Sequence, residues 1–444
     1  MSDLLAIGAT GVRAYQTALT TVGENIANTG VAGYSRRTTT LAEVVAATGI
    51  AGRDISGAGV AATGVARVAD TYRTTAIRDA GADLARTEAG NVWLDRIQSS
   101  LTGADLGDRM TGFFTTARAL AADPTSVPQR AVLLERAGAL ASAFSTTGRQ
   151  LDAGMAELDA TARQATDKLD TLGRALAQVN DGLARSSPGG TTAAQLADQR
   201  DQLLDQMSAI TDVGVTIDPV GRASVTLGAG GPTFVTGTSS GHVIYARSGG
   251  AVSTSVQLGG GTEAFTPAGG ALAGIREGAS RLADTRASLN ALATDFTTEV
   301  NAVQTGGRDL DGQTGTALFA VGATPTDLSV ALTDPRGVAA AGVGGGTRDA
   351  SNLAQLEGSR TSHGWEGGLT ALTSGNAAAL EQRKLVADAQ GSIRDGAVAA
   401  RAAASGVDLD SEAVDLLRFQ QAYQASSRVI QVARETMNAL LEIN

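Results

Sequence analysis

The stretch 24-ENIANTGVAGYSRR-37 closes the first amphipathic run of the chain. Asn28, Thr29 and Gly30 end a helix there, with Gly30 suited to a left-handed cap, and Gly33 lets the chain turn before Tyr34 anchors it. Upstream, Leu5, Val12, Leu19 and Ile26 recur every seven residues, and Tyr15 and Val22 supply the adjoining row. Ser2, with Asp3 in the first turn, caps the start of that helix.

A matching pattern stands at the opposite end, in 406-GVDLDSEAVDLLRFQQAYQASSRVIQVARETMNALLEI-443. Leu409, Leu416, Tyr423, Ile430 and Met437 fall on one heptad position, and Phe419, Ser426, Ala433 and Leu440 on a second. Four heptads without Gly or Pro predict a helix of about 45 Å, opened by the capping groups Asp408, Asp410, Ser411 and Glu412. Two terminal helices with such stripes are expected to form one antiparallel coiled coil. Its outer faces are free to meet neighbouring copies, and Ala422, Ala425, Ser426 and Ala433 permit close approach.

Composition narrows the function classes. Of 444 residues only 3% are aromatic and 56 are Gly, so slender helices packed through Ala, Leu and Val are expected rather than a thick globule. A net charge of -10 gives no basic footprint for nucleic acid or an anionic membrane. With no cysteine there are no disulfides, thiolate metal sites or cysteine nucleophiles. The first 20 residues carry no basic segment followed by a sustained apolar run, so no cleavable secretory signal is expected, and no apolar run approaches the roughly 20 residues of a membrane span.

Between the ends, residues 38–66 read as irregular or β-like, interrupted by Gly49, Gly52, Gly57, Gly59 and Gly64. Helical pattern follows over Tyr72 to Leu101, Leu106 to Ala122 (stopped by Asp123-Pro124), Pro128 to about Leu183 with breaks at glycines, and Thr192 to Ile210. VGVTIDP, ASVTL and HVIYA within 213–270 predict a small antiparallel element, helix returns over 271–303 and from 351 to 403, and LSVAL at 328–332 is a short strand. The expected division is an axial coiled-coil domain with its irregular segment at 1–66 and 404–444, a helical body at 67–212 and 271–403, and a β-rich element at 213–270. The fold class is mainly α with a small β-rich element.

Catalytic chemistry is not in view. His242 and His363 lie far apart, outside any ligand-spaced cluster, and read as structural. The segment 228-GAGGP-232 lacks the Lys and Ser/Thr of a phosphate loop, and 308-RDLDGQTG-315 is only half a calcium loop, without its terminal Glu. No metal, cofactor or enzyme activity is expected.

The run 25-NIANTGVAGYSR-36 resembles the N-terminal signature of the flagellar axial proteins, the rod, hook and hook-associated subunits, and 406–443 resembles their C-terminal signature. Within that group, Gly33-Tyr34-Ser35-Arg36, Arg418-Phe419-Gln420-Gln421-Ala422-Tyr423 and 198-DQRDQLLDQM-207 are similar to the hook-associated protein 1 family. The resemblance implies a non-enzymatic subunit of the hook–filament junction, exported unfolded by the flagellar type III secretion system and folding on assembly. It implies an extracellular site after a transient cytoplasmic pool. The partners implied are copies of the chain itself, the hook protein below, the second junction protein above, and a secretion chaperone on the C-terminal helix, with no nucleic acid and no membrane insertion. The implied self-assembly residues are Leu5, Val12, Tyr15, Leu19, Val22, Ile26, Asn28, Gly33 and Tyr34 at one end. At the other they are Leu409, Leu416, Phe419, Tyr423, Ile430, Ala433, Met437 and Leu440. Longer family members carry an added outer domain for which the passage from Asp309 to residue 328 leaves no room, and Arg37 stands where the family commonly has Gln. The alternatives are another axial protein (hook, distal rod or second junction protein) and, from a different class, a secreted adhesin or enzyme on a helical stalk.

Overall fold

The computed structural model describes residues 2–31, 33–44 and 59–441, with only the backbone of Ser2, Asp3, Leu440 and Leu441. The expected Ser2–Asp3 cap, the Leu440 side chain, and Gly49, Gly52 and Gly57 lie outside what is described. Helix α1 (Ser2–Ala27) leads into strands β1 (Arg37–Glu43) and β2 (Val60–Arg67), then α2 (Thr71–Thr102), α3 (Leu106–Ala122), α4 (Val127–Arg185) and α5 (Thr191–Ser208). Strands β3 (Val213–Ile217), β4 (Ala223–Leu227), β5 (Thr233–Thr236), β6 (Ser239–Ser240), β7 (His242–Ser248), β8 (Ala251–Leu258) and β9 (Gly261–Phe265) follow. The chain continues through α6 (Gly270–Gly306), β10 (Phe319–Val321), β11 (Leu328–Val330), α7 (Ser351–His363), α8 (Trp365–Ser405) and α9 (Leu409–Leu441).

Local chemistry sets many of these limits. Asp70 caps α2 by accepting the Arg73 amide at 3.1 Å. Ser126 caps α4, with Pro128 in its first turn, where the missing amide costs nothing. Asp408 Oδ1 accepts the Asp410 amide at 3.0 Å at the start of α9. The glycine breaks expected in α4 do not occur; it runs 59 residues without interruption, about 88 Å. Those glycines are instead places where another segment comes close. At Gly173 a Cβ would lie 2.4 Å from Ser240 Oγ and 2.7 Å from the Phe234 ring, so the β-rich element rests on bare helix backbone.

Two buried clusters organise the body. The larger joins α2, α3, α4, α6, α7 and α8 around Phe113, Phe114, Phe144, Phe296, Phe319 and Trp365. The few aromatics are thus concentrated at one node, where Phe114 stacks on Trp365 at 5.7 Å and Phe296 meets the same indole edge-on at 5.3 Å. The smaller cluster packs Val225, Leu227, Phe234, Val243 and Val256 against Leu169, Leu172 and Leu176 of α4 and Leu204 and Met207 of α5. Its strands form two antiparallel sheets, β3-β4-β5-β6 and β7-β8-β9.

Arg130 is an unusual member of this interior, 1% exposed. Its guanidinium donates to the carbonyls of Pro124 (2.8 Å), Arg336 (3.3 Å) and Val338, fastening the loop that holds the 3-10 turn Pro335–Gly337 to the first turn of α4. Burial lowers its pKa from the usual arginine value, against the opposing field of Asp309.

The terminal helices α1 and α9 pack on each other antiparallel, and the β1–β2 hairpin packs against α1. Among the described residues, no side chain of α1 or α9 belongs to either body cluster. What joins the helix pair to the body is therefore polar, and lies where the opening stretch of sequence leaves α1.

Candidate functional site

The contact line between α1 and α9 runs over small residues. A Cβ placed on Gly8 would lie 2.6 Å from Ile430 Cγ1, and one on Gly11 would lie 2.6 Å from Ser426 Oγ. At Gly8 a Cβ would also lie 3.2 Å from the Ser426 carbonyl and 3.3 Å from the Ile430 amide, so the two backbones come close there, while at Gly11 the neighbour is the small Ser426 side chain. Farther along, the Tyr15 and Phe419 rings meet at 6.4 Å, and Ala433 is 2% exposed. The heptad residues take three positions about this line. Val22 is buried; Leu5, Val12, Tyr15, Leu19, Leu416, Phe419, Tyr423 and Ile430 are half-buried. Ile26, Leu409 and Met437 face solvent at 37%, 51% and 45% exposure.

At the end of α1 the line closes on Asn25, itself 1% exposed. Its Nδ2 donates to the Arg37 carbonyl at 2.8 Å and to Glu412 Oε2 at 3.0 Å. Its Oδ1 accepts the Tyr34 hydroxyl at 2.8 Å and the Arg37 amide at 3.0 Å. All four hydrogen-bonding positions of the amide are used, so one side chain binds the end of α1, the first residue of β1, the exit turn and α9. Burial raises the pKa of the Tyr34 phenol, with Arg37, whose guanidinium lies 4.8 Å over the ring, pulling the other way. Asn28 donates to the Glu24 carbonyl at 2.7 Å and closes the last turn of α1. Gly30 and Gly33 have φ of 78° and 81°, the left-handed region that favours glycine. At Gly33 a side chain would also collide with Gln202 of α5, 2.2 Å from the place of its Cβ.

The two arginines that end the stretch go to opposite sides. Arg36 pairs with Glu412 at 2.6 Å and Asp415 at 3.3 Å on α9. Arg37 pairs with Glu24 at 3.0 Å on α1 and Asp198 at 3.1 Å on α5. Arg67 is its direct cross-strand partner in the hairpin, a like-charge pairing that would repel but for Asp198 between them. Arg67 Nε lies 2.8 Å from Asp198 Oδ1, at an angle that makes an ion pair without a hydrogen bond, and Arg67 also reaches Asp201 at 2.8 Å. Asp205 then takes Arg78 of α2 at 2.8 Å and Arg401 of α8 at 3.2 Å. Asp198, Asp201 and Asp205 sit three and four residues apart on one face of α5, so a single helix face receives the hairpin, α2 and α8. In the sequence, the signal for this row is the acidic spacing inside DQRDQLLDQM, in a chain whose cations are nearly all Arg.

Burial works to raise the Asp201 pKa, but Arg200 and Arg67 outweigh it, and the net value is lowered from 3.8. A depressed folded-state pKa stabilises above the unfolded value and ceases to do so as pH falls through the folded one. The joint is therefore expected to hold at neutral pH and to loosen as pH drops below 3.8. Limited proteolysis across 28–36 and 405–409 at pH 7 and pH 3 measures this; cleavage there should rise in acid before the body unfolds.

Elsewhere both histidines and the acidic half-loop are engaged. His363 Nδ1 lies 2.8 Å from Asp295, which also accepts Trp365 Nε1 at 2.7 Å, and His242 pairs with Asp170. In the half calcium loop, Asp309 Oδ1 accepts the amides of Asp311 (2.9 Å) and Gln313 (2.7 Å), and Asp311 pairs with Arg336. Among the described residues no group of three or more His, Asp or Glu side chains could hold a metal ion, and no helix is long and apolar enough to cross a membrane.

Comparison with known proteins gives a consistent set of likenesses. A family model described as the flagellar hook-associated protein FlgK helical domain matches residues 93–319, just over half of the chain. A second, described as the flagellar basal body rod FlgEFG protein C-terminal, matches residues 400–443. Flagellar hook-associated protein 1 of Salmonella typhimurium is 30% identical over 340 residues, 72% of this chain and 60% of its own. The Escherichia coli K12 protein of the same name is 26% identical over 340 residues. The chain thus aligns with about 60% of the length of these curated relatives. Among solved structures, the flagellar hook junction protein FlgK from Burkholderia pseudomallei shares the fold with a TM-score of 0.50 at 23% identity, covering 57% of this chain and 47% of that one.

Proposed function

This chain belongs to the flagellar hook-associated protein FlgK family, and from that premise we propose that it is a structural subunit of the junction between flagellar hook and filament. Residues 1–66 and 404–444 form the axial unit. Residues 67–212 and 271–403, with the β-rich 213–270, form the body outside it. Copies of the chain pack side by side through the outward faces of α1 and α9, with the hook protein on one side and the second junction protein on the other. The subunit works outside the cell, after export in an unfolded form through the flagellar secretion channel. A secretion chaperone shields α9 before export.

The observation that carries this reading is the outer surface of α9. Val414, Leu417 and Val432 are between 59% and 66% exposed. Large apolar side chains repeated along a helix that is already packed on one side mark a face covered by other protein. Leu385 (70%) and Ile393 (63%) of α8 extend the same property toward the body.

A strain lacking the gene is expected to build hooks without filaments and to release filament subunits into the medium. Complementation with Ile430→Asp or Leu416→Asp should fail, because a carboxylate in the α1–α9 line cannot be buried unpaired, while the 70–400 body of the purified variants stays folded. Normal incorporation of either variant into isolated hook–basal bodies would count decisively against this assembly face.

A further inference from the structure

Glu412 lies in the first turn of a helix whose partner surface is made of small residues, and its side chain is only 1% exposed. A carboxylate so buried requires compensation, and Asn25 Nδ2 (3.0 Å) and Arg36 Nε (2.6 Å) supply it. Those partners exist at one place only, where α1 ends and the exit turn folds back. We propose that Glu412 sets the register of α9 on α1.

The apolar contacts alone do this poorly. The apolar heptad returns every seven residues on α9, so the repeat by itself admits more than one pairing with α1. Sliding α9 by one heptad toward the start of α1 would put Phe419 on Gly11 in the place of Ser426. The same slide would set Glu412 beside Ala18 and Thr21, which are 0% and 2% exposed, with Asn25 and Arg36 left behind. Sliding it the other way would draw Phe419 onto Asn25 and carry Glu412 past Ala27, the last residue of α1. In the first case a charge is buried without a partner. In the second Asn25 loses Glu412 and Glu412 loses both of its partners, Asn25 and Arg36. A single polar contact that selects among helix pairings sharing one heptad repeat is a known way of fixing register. The inference rests on the helix pair within one chain, and it stands or falls separately from the junction role.

The chain has no cysteine, so two introduced cysteines report one pairing. Gly11→Cys with Ser426→Cys reads the native register, since a Cβ at Gly11 lies 3.1 Å from Ser426 Cβ and the helices need part by only about half an ångström to reach disulfide spacing. Gly11→Cys with Phe419→Cys reads the slipped one. In the purified full-length chain under mild oxidation, the native cross-link should exceed the slipped one by about a hundredfold or more. Adding Glu412→Leu should bring the slipped cross-link to within about tenfold of the native, whereas Glu412→Gln, which can still bond Asn25, should keep the native preference. Native cross-linking alone in the Glu412→Leu chain would overturn the proposal, as would equal cross-linking of both pairs with Glu412 in place. Loss of both cross-links together would make Glu412 a stabiliser of the pair rather than a selector of its register, and would overturn it too.

Discussion

Replacing Asn25 with leucine is expected to weaken docking of the terminal helices by about 3–5 kcal/mol, with little change in the stability of the body. Leucine fills nearly the same space, so the effect isolates hydrogen bonding from packing. Four bonds go at once: two to the Arg37 backbone, one to Tyr34 and one to Glu412. The Arg37 amide and carbonyl lose a partner in a residue only 4% exposed, and Glu412 keeps only Arg36. The loss should appear as faster amide exchange in the β1–β2 hairpin of the free chain, whose first residue Asn25 holds, and as failure to assemble. The denaturation midpoint of the body, whose two apolar clusters do not include Asn25, should stay within error of the unsubstituted chain. A uniform fall in both would show that the joint is not a separate element.

Arg130→Ala is expected to act in the opposite place, destabilising the body by about 4 kcal/mol. The substitution opens a cavity at the first turn of α4 and removes the donor to three carbonyls. Two effects compete, because removing a buried guanidinium also removes its desolvation cost. The cavity decides the sign, since the side chain is among the largest of those fully buried. Two of the carbonyls retain a backbone donor, Leu310 N to Arg336 O at 3.0 Å and Ala340 N to Val338 O at 3.1 Å, which holds the loss near this figure. Chemical denaturation measures it, and a change below about 1 kcal/mol would contradict the account.

Much of this architecture is legible in the sequence because caps and periodicity are local. Asp123-Pro124 marks the end of α3 and Pro128 the start of α4, and the bounds Leu106 and Ala122 fall where the pattern places them. The glycines of α4 misdirect because their role depends on what approaches from elsewhere, as Phe234 does at Gly173. The seam between the terminal helices is half-legible. The heptads announce that the helices pair and mark Ser426 as a place of close approach, but its partners on α1, Gly8 and Gly11, give no hydrophobic signal. The joint is the least legible part. Arg37 and Asp198 are 161 residues apart, and Arg36 and Glu412 are 376 apart, so no local rule connects them. The opening motif names half of the joint, Asn25, Tyr34, Arg36 and Arg37, and the fold supplies the rest.

We propose that α1 and α9 form an assembly unit tied to the body by polar contacts and completed by neighbouring copies. Small residues in the seam and exposed apolar residues outside it leave the pair marginal in a single chain. Amide hydrogen exchange on the full-length chain, as a verified dilute monomer and in the assembled junction, tests this most directly. Fast exchange is expected over residues 2–28 and 409–442 in the monomer, with slow exchange in the body and strong protection of both terminal segments after assembly. Terminal helices as strongly protected in the dilute monomer as the body would contradict this proposal.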